Sequence, residues 1–194
     1  MSATALLRPA SHETRKRFTR TEVDQLLDTG IFTGLRFELI HGDLIDKVGQ
    51  GPPHANSIDF FSNLFWDAYG RGRIRIQSPL EVAMGDREFS LPEPDLVVLA
   101  EPNDPRESRY GSRHPRGDET TLVVEVADSS LRQDLEVKSK LYARASVPEY
   151  WVLDVTGRRL VMHGEPKADG SYGVVKQYSE TDKVGPFRVA EMLP

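Results

Sequence analysis

Two periodicities of apolar residues run along the chain, and they predict three helices separated by groups of strands. Helical spacing recurs in FTRTEVDQLLDTG (18–30), in HANSIDFFSNLFWDAYG (54–70) and from about 130 to 145. Alternating or continuous apolar runs predict strands in LRFELIHGDLIDKV (35–48), RIRIQSPLEVAM (73–84), EPDLVVLA (93–100), TTLVVEVA (120–127) and EYWVLDV (149–155). RRLVMHGEPKADGSYGVVKQYS (158–179) predicts a C-terminal β-hairpin that turns at ADGS. This order predicts an α/β fold in which a mixed β-sheet is flanked by helices.

Cap and turn residues mark several of these boundaries. Thr19 and Glu22 have the spacing of a capping box, and Gly30 is placed to end the first helix. His41 and Gly42 form a two-residue turn between two predicted strands. The inward face of the second helix is predicted to consist of Ile58, Phe61, Leu64 or Phe65, and Ala68.

Composition narrows the class of protein. The 194 residues suit one domain, which we place at 18–194 after a flexible N-terminal arm at 1–17. The net charge of -5 argues against a broad polycation, so nucleic acid would contact a local basic patch or a bound metal ion. The absence of cysteine excludes disulfides, zinc–thiolate sites and cysteine nucleophiles. No apolar run of about 18 residues and no persuasive signal peptide occur, which favours a bacterial, cytoplasmic protein with no membrane partner.

Two charged residues stand where the apolar pattern predicts a core. Glu125 interrupts the apolar run of its strand. On a helical wheel that starts at Leu131, Lys138 falls at about 340° and Asp134 at about 300°, inside the apolar arc. Lys140 falls at about 180°, toward water. Buried charges are costly unless they are paired, hydrogen-bonded or bound to a metal, so Lys138 needs a partner.

Asp95 and Glu125 can meet if their strands are neighbours. Alternation places Glu125 on one face with Val123, and it places Asp95 on one face with Val97. Two carboxylates so close repel unless a cation lies between them, and hard oxygen ligands suit Mg²⁺ or Mn²⁺. Lys138 would lie beside that ion and orient or activate an attacking water. Together these charges predict a metal-dependent site that cleaves phosphodiester bonds.

Each residue also has a structural interpretation. A strand glutamate such as Glu125 can be an edge residue or a salt-bridge partner, and a Pro-Asp pair such as Pro94–Asp95 often begins a strand. Lys138 and Asp134 lie four residues apart and could neutralise each other. The catalytic interpretation gains specificity from the order of PD, strand glutamate and helix lysine along the chain.

These residues resemble those of the PD-(D/E)XK nuclease superfamily and, more closely, of the Uma-type restriction endonuclease family. The resemblance runs through RFELIHGDLID (36–46), PPHANSI (52–58), EPDLVVL (93–99), LVVEVADSS (122–130) and DLEVKSKLYARASVPEYWVLDV (134–155). Its most specific part is Asp134, Lys138 and Tyr142 at four-residue steps, followed by VPEYWVLD. The resemblance implies a restriction-endonuclease-like core and a divalent ion, Mg²⁺ or Mn²⁺, as cofactor.

Carried over residue by residue, the resemblance implies that Asp95 and Glu125 are catalytic metal ligands. Lys138 stands in for the superfamily lysine, which normally comes two residues after the glutamate. That position is Ala127 here, so the usual motif is broken and the lysine has moved onto the next helix, as in the Uma-type family.

The resemblance also assigns roles to Glu38, Val126 and His54. The resemblance implies Glu38 as a catalytic carboxylate that reaches the metal through water, although Glu38 can equally be a strand or surface residue. It implies the Val126 carbonyl as a metal ligand, and His54 as a capping or substrate-orienting residue. Thr120 and Thr121 stand where many relatives have a second PD, which loosens the match.

The sequence therefore predicts a metal-dependent endonuclease acting on DNA, and a homodimer is compatible with duplex cleavage. The alternative is a catalytically silent nucleic-acid-binding or protein-interaction module on the same fold. No G-x-S-x-G elbow, Walker loop or histidine-ligand spacing is present to support other enzyme classes. The basic residues that could contact DNA phosphates are Arg71, Arg73, Arg75, Arg106, Arg109, Arg113 and Arg116.

Overall fold

The structure, a computed structural model, describes residues 15–47, 51–104 and 109–186. Within them lie a six-stranded sheet, a two-stranded sheet and three helical segments. The helices are α1 (Arg20–Asp28), α2 (Pro52–Tyr69) and α3 (131–144). The strands are β1 (Phe37–Ile40), β2 (Asp43–Asp46), β3 (Ile74–Ile76), β4 (Leu96–Leu99), β5 (Thr120–Ala127), β6 (Glu149–Asp154), β7 (Arg159–Pro166) and β8 (Tyr172–Ser179). Two short 3₁₀ turns occur at Arg71–Arg73 and Gly117–Glu119.

The large sheet has the strand order β3-β4-β5-β6-β7-β8. The central strands β5 and β6 run parallel, and the other neighbouring strands in this sheet run antiparallel. Because parallel neighbours need a long crossover connection, α3 links β5 to β6 across one face of the sheet. The predicted mixed sheet flanked by helices is confirmed, as is the C-terminal hairpin formed by β7 and β8.

Side chains of β5 divide the core into two layers. Val124 packs on the α2 side of the sheet, in a cluster with Phe61 and Phe65. Val123 packs on the opposite side, in a cluster with Tyr142 of α3. The alternation predicted for this strand is therefore confirmed, and it places Glu125 on the α3 side.

The β1–β2 hairpin turns at the predicted pair, His41 and Gly42. Both residues have positive φ, 51° and 88°, as a tight two-residue hairpin turn requires. A Cβ on Gly42 would lie 2.7 Å from Cβ of Arg17, so this position also needs a glycine for space. The hairpin pairs Glu38 with Ile45, which sets the face of β1 that carries the acidic side chain.

The first helix follows its predicted cap. Thr19 accepts a hydrogen bond from the Glu22 backbone and the Glu22 carboxylate accepts one in return, so the capping box is confirmed. Gly30, with φ of 75°, comes just after the cap at the other end. Of the predicted arm, residues 1–14 lie outside the described residues, while Arg17 donates a hydrogen bond to the His41 carbonyl.

The second helix differs in detail from its prediction. It begins at Pro52, and two prolines are tolerated there because first-turn N–H groups lack partners within a helix. Phe65 is buried and Leu64 is 46% exposed, which decides between the two predicted residues. The inward face ends with Tyr69, and the predicted Ala68 is exposed.

The strand predicted over residues 73–84 is much shorter in the structure. It covers Ile74–Ile76 and ends at Gln77, whose φ of 46° leaves the extended conformation. Glu81 forms an isolated bridge with Arg116 further along. No helix in the described ranges is long and apolar enough to cross a membrane.

Candidate functional site

Four buried charges meet on the α3 side of the sheet. The Lys138 ammonium lies 2.8 Å from Glu38 Oε1, 3.0 Å from Glu125 Oε1 and 3.5 Å from Asp134 Oδ1. These side chains are each at most 4% exposed. The Tyr142 hydroxyl also donates to Glu125 Oε1, at 2.8 Å. We call Lys138 and its three carboxylate partners the lysine cluster.

Helix α3 brings Lys138 to this cluster through a change of helix type. Leu131–Gln133 and Ser139–Arg144 are α-helical, but Asp134–Lys138 is a π segment. The expected uniform helix is therefore wrong in its middle. The expected directions are confirmed, because Asp134 and Lys138 are buried and Lys140 is exposed. Single π turns within α-helices are frequent at functional sites.

Two hydrogen bonds hold the start of the π segment. The Ser130 hydroxyl donates to Asp134 Oδ2 at 2.6 Å, and the Tyr150 hydroxyl donates to the Asp134 carbonyl at 3.1 Å. The latter bond ties the helix to β6, in the sheet below. Ser130 thus holds the side chain of Asp134 beside Lys138, and Tyr150 holds its backbone.

Strand β1 contributes Glu38 from the separate hairpin. Its Oε1 faces Lys138, while its Oε2 accepts a hydrogen bond of 3.0 Å from the Glu93 backbone N–H. The hairpin is joined to this segment by a bridge between Leu39 and Leu91. The acidic side chain is therefore positioned by backbone contacts and is not free on the surface.

Asp95 immediately precedes β4, beside the lysine cluster. Leu96 pairs with Val124 in the antiparallel β4–β5 register, so one further step places Asp95 opposite Glu125. The juxtaposition of these two carboxylates, predicted from strand alternation alone, is therefore found.

The Asp95 carboxylate has its own set of contacts. Oδ2 accepts a hydrogen bond of 2.8 Å from the Val126 backbone N–H and lies 3.3 Å from His54 Nε2. Oδ1 lies 3.9 Å from the ammonium of Lys47. His54 reaches this position from the first turn of α2, on the opposite side of the sheet edge from α3.

All six residues proposed from the sequence line one cleft of about 110 Å³. They are Glu38, His54, Asp95, Glu125, Val126 and Lys138. The cleft lies at the end of β5, where the chain leaves the sheet through Asp128, Ser129 and Ser130. The structure thus brings the proposed residues together, whereas their roles stay a prediction.

Electrostatics in the lysine cluster favour a protonated lysine. Burial alone would lower the pKa of Lys138, but Glu125, Glu38 and Asp134 together raise it well above its usual value. Burial raises the pKa of Glu125 to about 8, with Asp134 and Asp95 adding to the rise and Lys138 opposing it. Glu125 therefore holds a proton more strongly than an ordinary carboxyl does.

Asp95 behaves in the opposite way. Burial would raise the pKa of its carboxyl, but the hydrogen bond with His54, the charge of Lys47 and the Val126 N–H hold it below the usual range. Asp95 therefore remains a carboxylate at neutral pH, available as an anionic ligand.

The donor set fits a hard divalent cation. Asp95 Oδ1 is buried and accepts no hydrogen bond from any described residue. Across 15–47, 51–104 and 109–186, no three His, Cys, Asp or Glu side chains are grouped as metal ligands. Two carboxylates completed by waters and substrate oxygens suit Mg²⁺, which is usually held in that way.

Sequence reasoning missed two neighbours of the site. Lys47 lies opposite Arg36, one step beyond the end of the β1–β2 ladder. Opposite residues in a hairpin point to the same face, and Glu38, two residues after Arg36, points to that face as well. The predicted turn therefore held enough information to place Lys47. The hydrogen bond from Tyr142 to Glu125 could not be predicted from the sequence, because a tyrosine in an apolar stripe is ordinarily a core residue.

Several arginines proposed for DNA contact are engaged within the protein. Arg113 donates to both carboxylate oxygens of Glu119, at 2.6 and 2.7 Å. Arg71 lies over the ring of Trp66, 4.7 Å from its centroid. Arg106 lies outside the described residues. Contact with phosphate would therefore compete with existing ion pairs and ring contacts.

Comparison with known proteins gives a family and a fold. The Uma2 family model, described as "Putative restriction endonuclease", matches residues 21–191. The crystal structure at 1.96 Å of "a putative nuclease belonging to DUF820" from Anabaena variabilis ATCC 29413 has the same fold, with a TM-score of 0.61 and 16% sequence identity. The match covers 88% of this chain and 92% of that chain. No curated protein matches the chain.

Proposed function

The chain belongs to the Uma2 family of "putative restriction endonucleases", and from this premise we propose that it is a metal-dependent endonuclease that hydrolyses phosphodiester bonds in DNA. The family and the fold support a nuclease. The metal, the DNA substrate and the roles of individual residues belong to the proposal.

One observation carries these finer statements. Asp95, Glu125, Lys138 and Glu38, which are far apart in the chain, converge in a single buried cleft. A fold could bury one such charge by accident, but four ionisable groups are costly to desolvate together. Pockets that combine perturbed pKa values with opposite charges are candidates for catalysis.

In this proposal Asp95, Glu125 and the Val126 carbonyl would hold Mg²⁺ or Mn²⁺, which supplies Lewis-acid stabilisation of charge on the scissile phosphate. Lys138 orients the attacking water by donating a hydrogen bond. Because the pKa of Lys138 is raised well above its usual value, the amine stays protonated and does not act as a general base.

Glu38 and His54 have positioning roles. Glu38, from the β1–β2 hairpin, holds the Lys138 ammonium through the 2.8 Å contact. His54 Nε2 faces Asp95, while its Nδ1 is buried without a hydrogen-bond partner in the described part of the chain. A water or substrate oxygen near α2 is the partner that this nitrogen would take. The homodimer expected for duplex cleavage stays a prediction.

Plasmid nicking tests the proposal. Supercoiled DNA is incubated with Mg²⁺ or Mn²⁺ and the wild type, Glu125→Gln, Lys138→Ala or Lys140→Ala. We expect nicking by the wild type and by Lys140→Ala, whose lysine is exposed on the same helix. We expect the nicking rate to fall at least a hundredfold in Glu125→Gln and in Lys138→Ala, because each substitution removes a group at the reacting centre.

Circular dichroism of all four proteins separates lost chemistry from lost folding. Equal background nicking by all four folded proteins would refute catalysis at this site. It would leave the catalytically silent module, which the departures at residues 120–121 and 127 also allow.

A further inference from the structure

Lys47 is held over the cleft, although it lies just beyond the end of β2. Its backbone N–H donates to the Arg36 carbonyl at 2.9 Å, which continues the hairpin ladder. Its ammonium donates to the Glu93 carbonyl. The side chain is 11% exposed, so the charge is kept at a defined place instead of extending into water.

This ammonium faces the one oxygen of Asp95 that lacks a hydrogen bond. The distance of 3.9 Å from Lys47 Nζ to Oδ1 is too long for hydrogen bonding. Oδ2 is already occupied by the Val126 N–H and His54. Oδ1 is therefore the Asp95 oxygen that is available to bind a cation, and the Lys47 ammonium is the positive charge beside it.

Lys47 supplies part of the charge compensation that a divalent ion would bring. The Lys47 ammonium lies 3.9 Å from Asp95 Oδ1, and the two side chains are only 11% and 4% exposed, so the opposite charges face each other largely away from water. Two cations at one carboxylate would repel each other. A lysine has a flexible four-carbon stem, so it can move when an ion arrives.

We propose that Lys47 is a placeholder for the divalent ion: it neutralises Asp95 in the metal-free protein and moves to a phosphate of the nucleic-acid backbone when the metal binds. This inference rests on the proposed function and adds a positioning residue to it. A lysine binds phosphate as a point charge, so the released ammonium needs no fixed geometry to contact the backbone.

Calorimetric titration of Mn²⁺ into the full chain tests the proposal directly. The proteins are the wild type, Lys47→Met and Lys140→Met. The first variant removes a positive charge from the cleft, and the second removes one from an exposed site. We expect Lys47→Met to bind Mn²⁺ at least ten times more tightly than the wild type, and Lys140→Met to match the wild type. At saturating Mn²⁺, Lys47→Met should nick plasmid more slowly.

A merely structural lysine would lower stability without tightening metal binding, so the affinity is the decisive measurement. Should Lys47→Met not fold, Lys47→Gln replaces it, because glutamine also removes the charge and retains a donor for the Glu93 carbonyl. Binding by the wild type with no tightening in the variant overturns the placeholder but leaves the proposed function standing. No Mn²⁺ binding by any variant overturns both. Binding by the variant alone supports both.

Discussion

At the residue scale, the lysine cluster depends on one cation, Lys138, which is the shared partner of three acidic side chains. Lys138→Met would keep most of the volume and leave Glu38, Glu125 and Asp134 without their shared partner. Removing one member of a buried ion pair costs about 3–5 kcal/mol, because the remaining charge is uncompensated. We expect the free energy of unfolding, measured in urea at pH 7, to fall by about that amount.

Lys140→Met is the matched control, since Lys140 is exposed two residues further along the same helix. Surface substitutions of this kind change stability by about 0.5 kcal/mol or less. Acid should partly restore Lys138→Met, because protonation removes the repulsion among its carboxyl groups. Equal urea midpoints for the two variants would show that the buried contacts contribute little to stability.

The residues of the cluster were predictable to different degrees. Glu125 and Lys138 break an apolar pattern, so a mismatch between charge and periodicity reveals them. Asp134 was also placed inward, but its sequence spacing equally allowed a simple pair with Lys138. The structure contains that pair and adds Glu38 to it, a partner from a distant hairpin that spacing along the chain cannot reveal.

At the element scale, the π segment of α3 is the feature that periodicity did not predict. A uniform wheel gave the correct directions for Asp134 and Lys138, so nothing in the pattern indicated a wider turn. Whether a carbonyl bonds to the fourth or the fifth residue depends on tertiary contacts. Here the Tyr150 hydroxyl, from a strand later in the chain, binds the Asp134 carbonyl.

Deleting Glu136 tests what the wider turn does. Glu136 is exposed, so its removal costs no core packing, and it lies inside the π segment. Deletion would bring Asp134 and Lys138 to three-residue spacing and favour an uninterrupted α-helix. We expect plasmid nicking to fall at least tenfold while the helical signal in far-UV circular dichroism is retained.

Glu136→Ala is the companion variant, because it removes the same side chain without changing the spacing. We expect it to nick DNA like the wild type. If the deletion variant also nicks like the wild type, the π segment does not position the lysine. If it loses its helical signal, the segment is needed for folding, and its part in catalysis must then be judged from point variants of Ser130.

At the scale of the whole molecule, periodicity predicted the layers but not the order of strands. Side-chain alternation is local, so the two faces of β5 could be assigned from the sequence. The β1–β2 hairpin follows from its local turn, but its separation from the large sheet and the parallel β5–β6 pair depend on distant segments and do not follow from local pattern. The order of elements predicted a mixed sheet flanked by helices, and the family resemblance implied its restriction-endonuclease-like core. The observed register places Asp95 opposite Glu125.

Strand β7 holds a buried histidine on the α3 side of the sheet, and this residue links stability to pH. The His163 ring on β7 packs against the rings of Tyr150 and Tyr172, with centroid distances of 5.3 and 5.4 Å. Its Nδ1 is 3.2 Å from the Tyr150 carbonyl. Burial lowers the pKa of His163 from 6.5, with the contact to the Tyr150 carbonyl opposing the shift.

Burial gives the His163 imidazole a lower pKa in the folded protein than in the unfolded chain, so stability depends on pH. Well above pH 6.5 the imidazole is neutral in both states, so it adds no pH dependence there. As pH falls below 6.5, the unfolded chain binds a proton that the folded protein resists, and stability is lost. We expect urea midpoints of His163→Gln to decline less steeply than those of the wild type between about pH 6.5 and 5.

His41→Asn, at an exposed turn where asparagine tolerates positive φ, should keep the wild-type slope. Identical slopes in all three proteins would mean that carboxyl groups, and not His163, set the acid sensitivity of the fold.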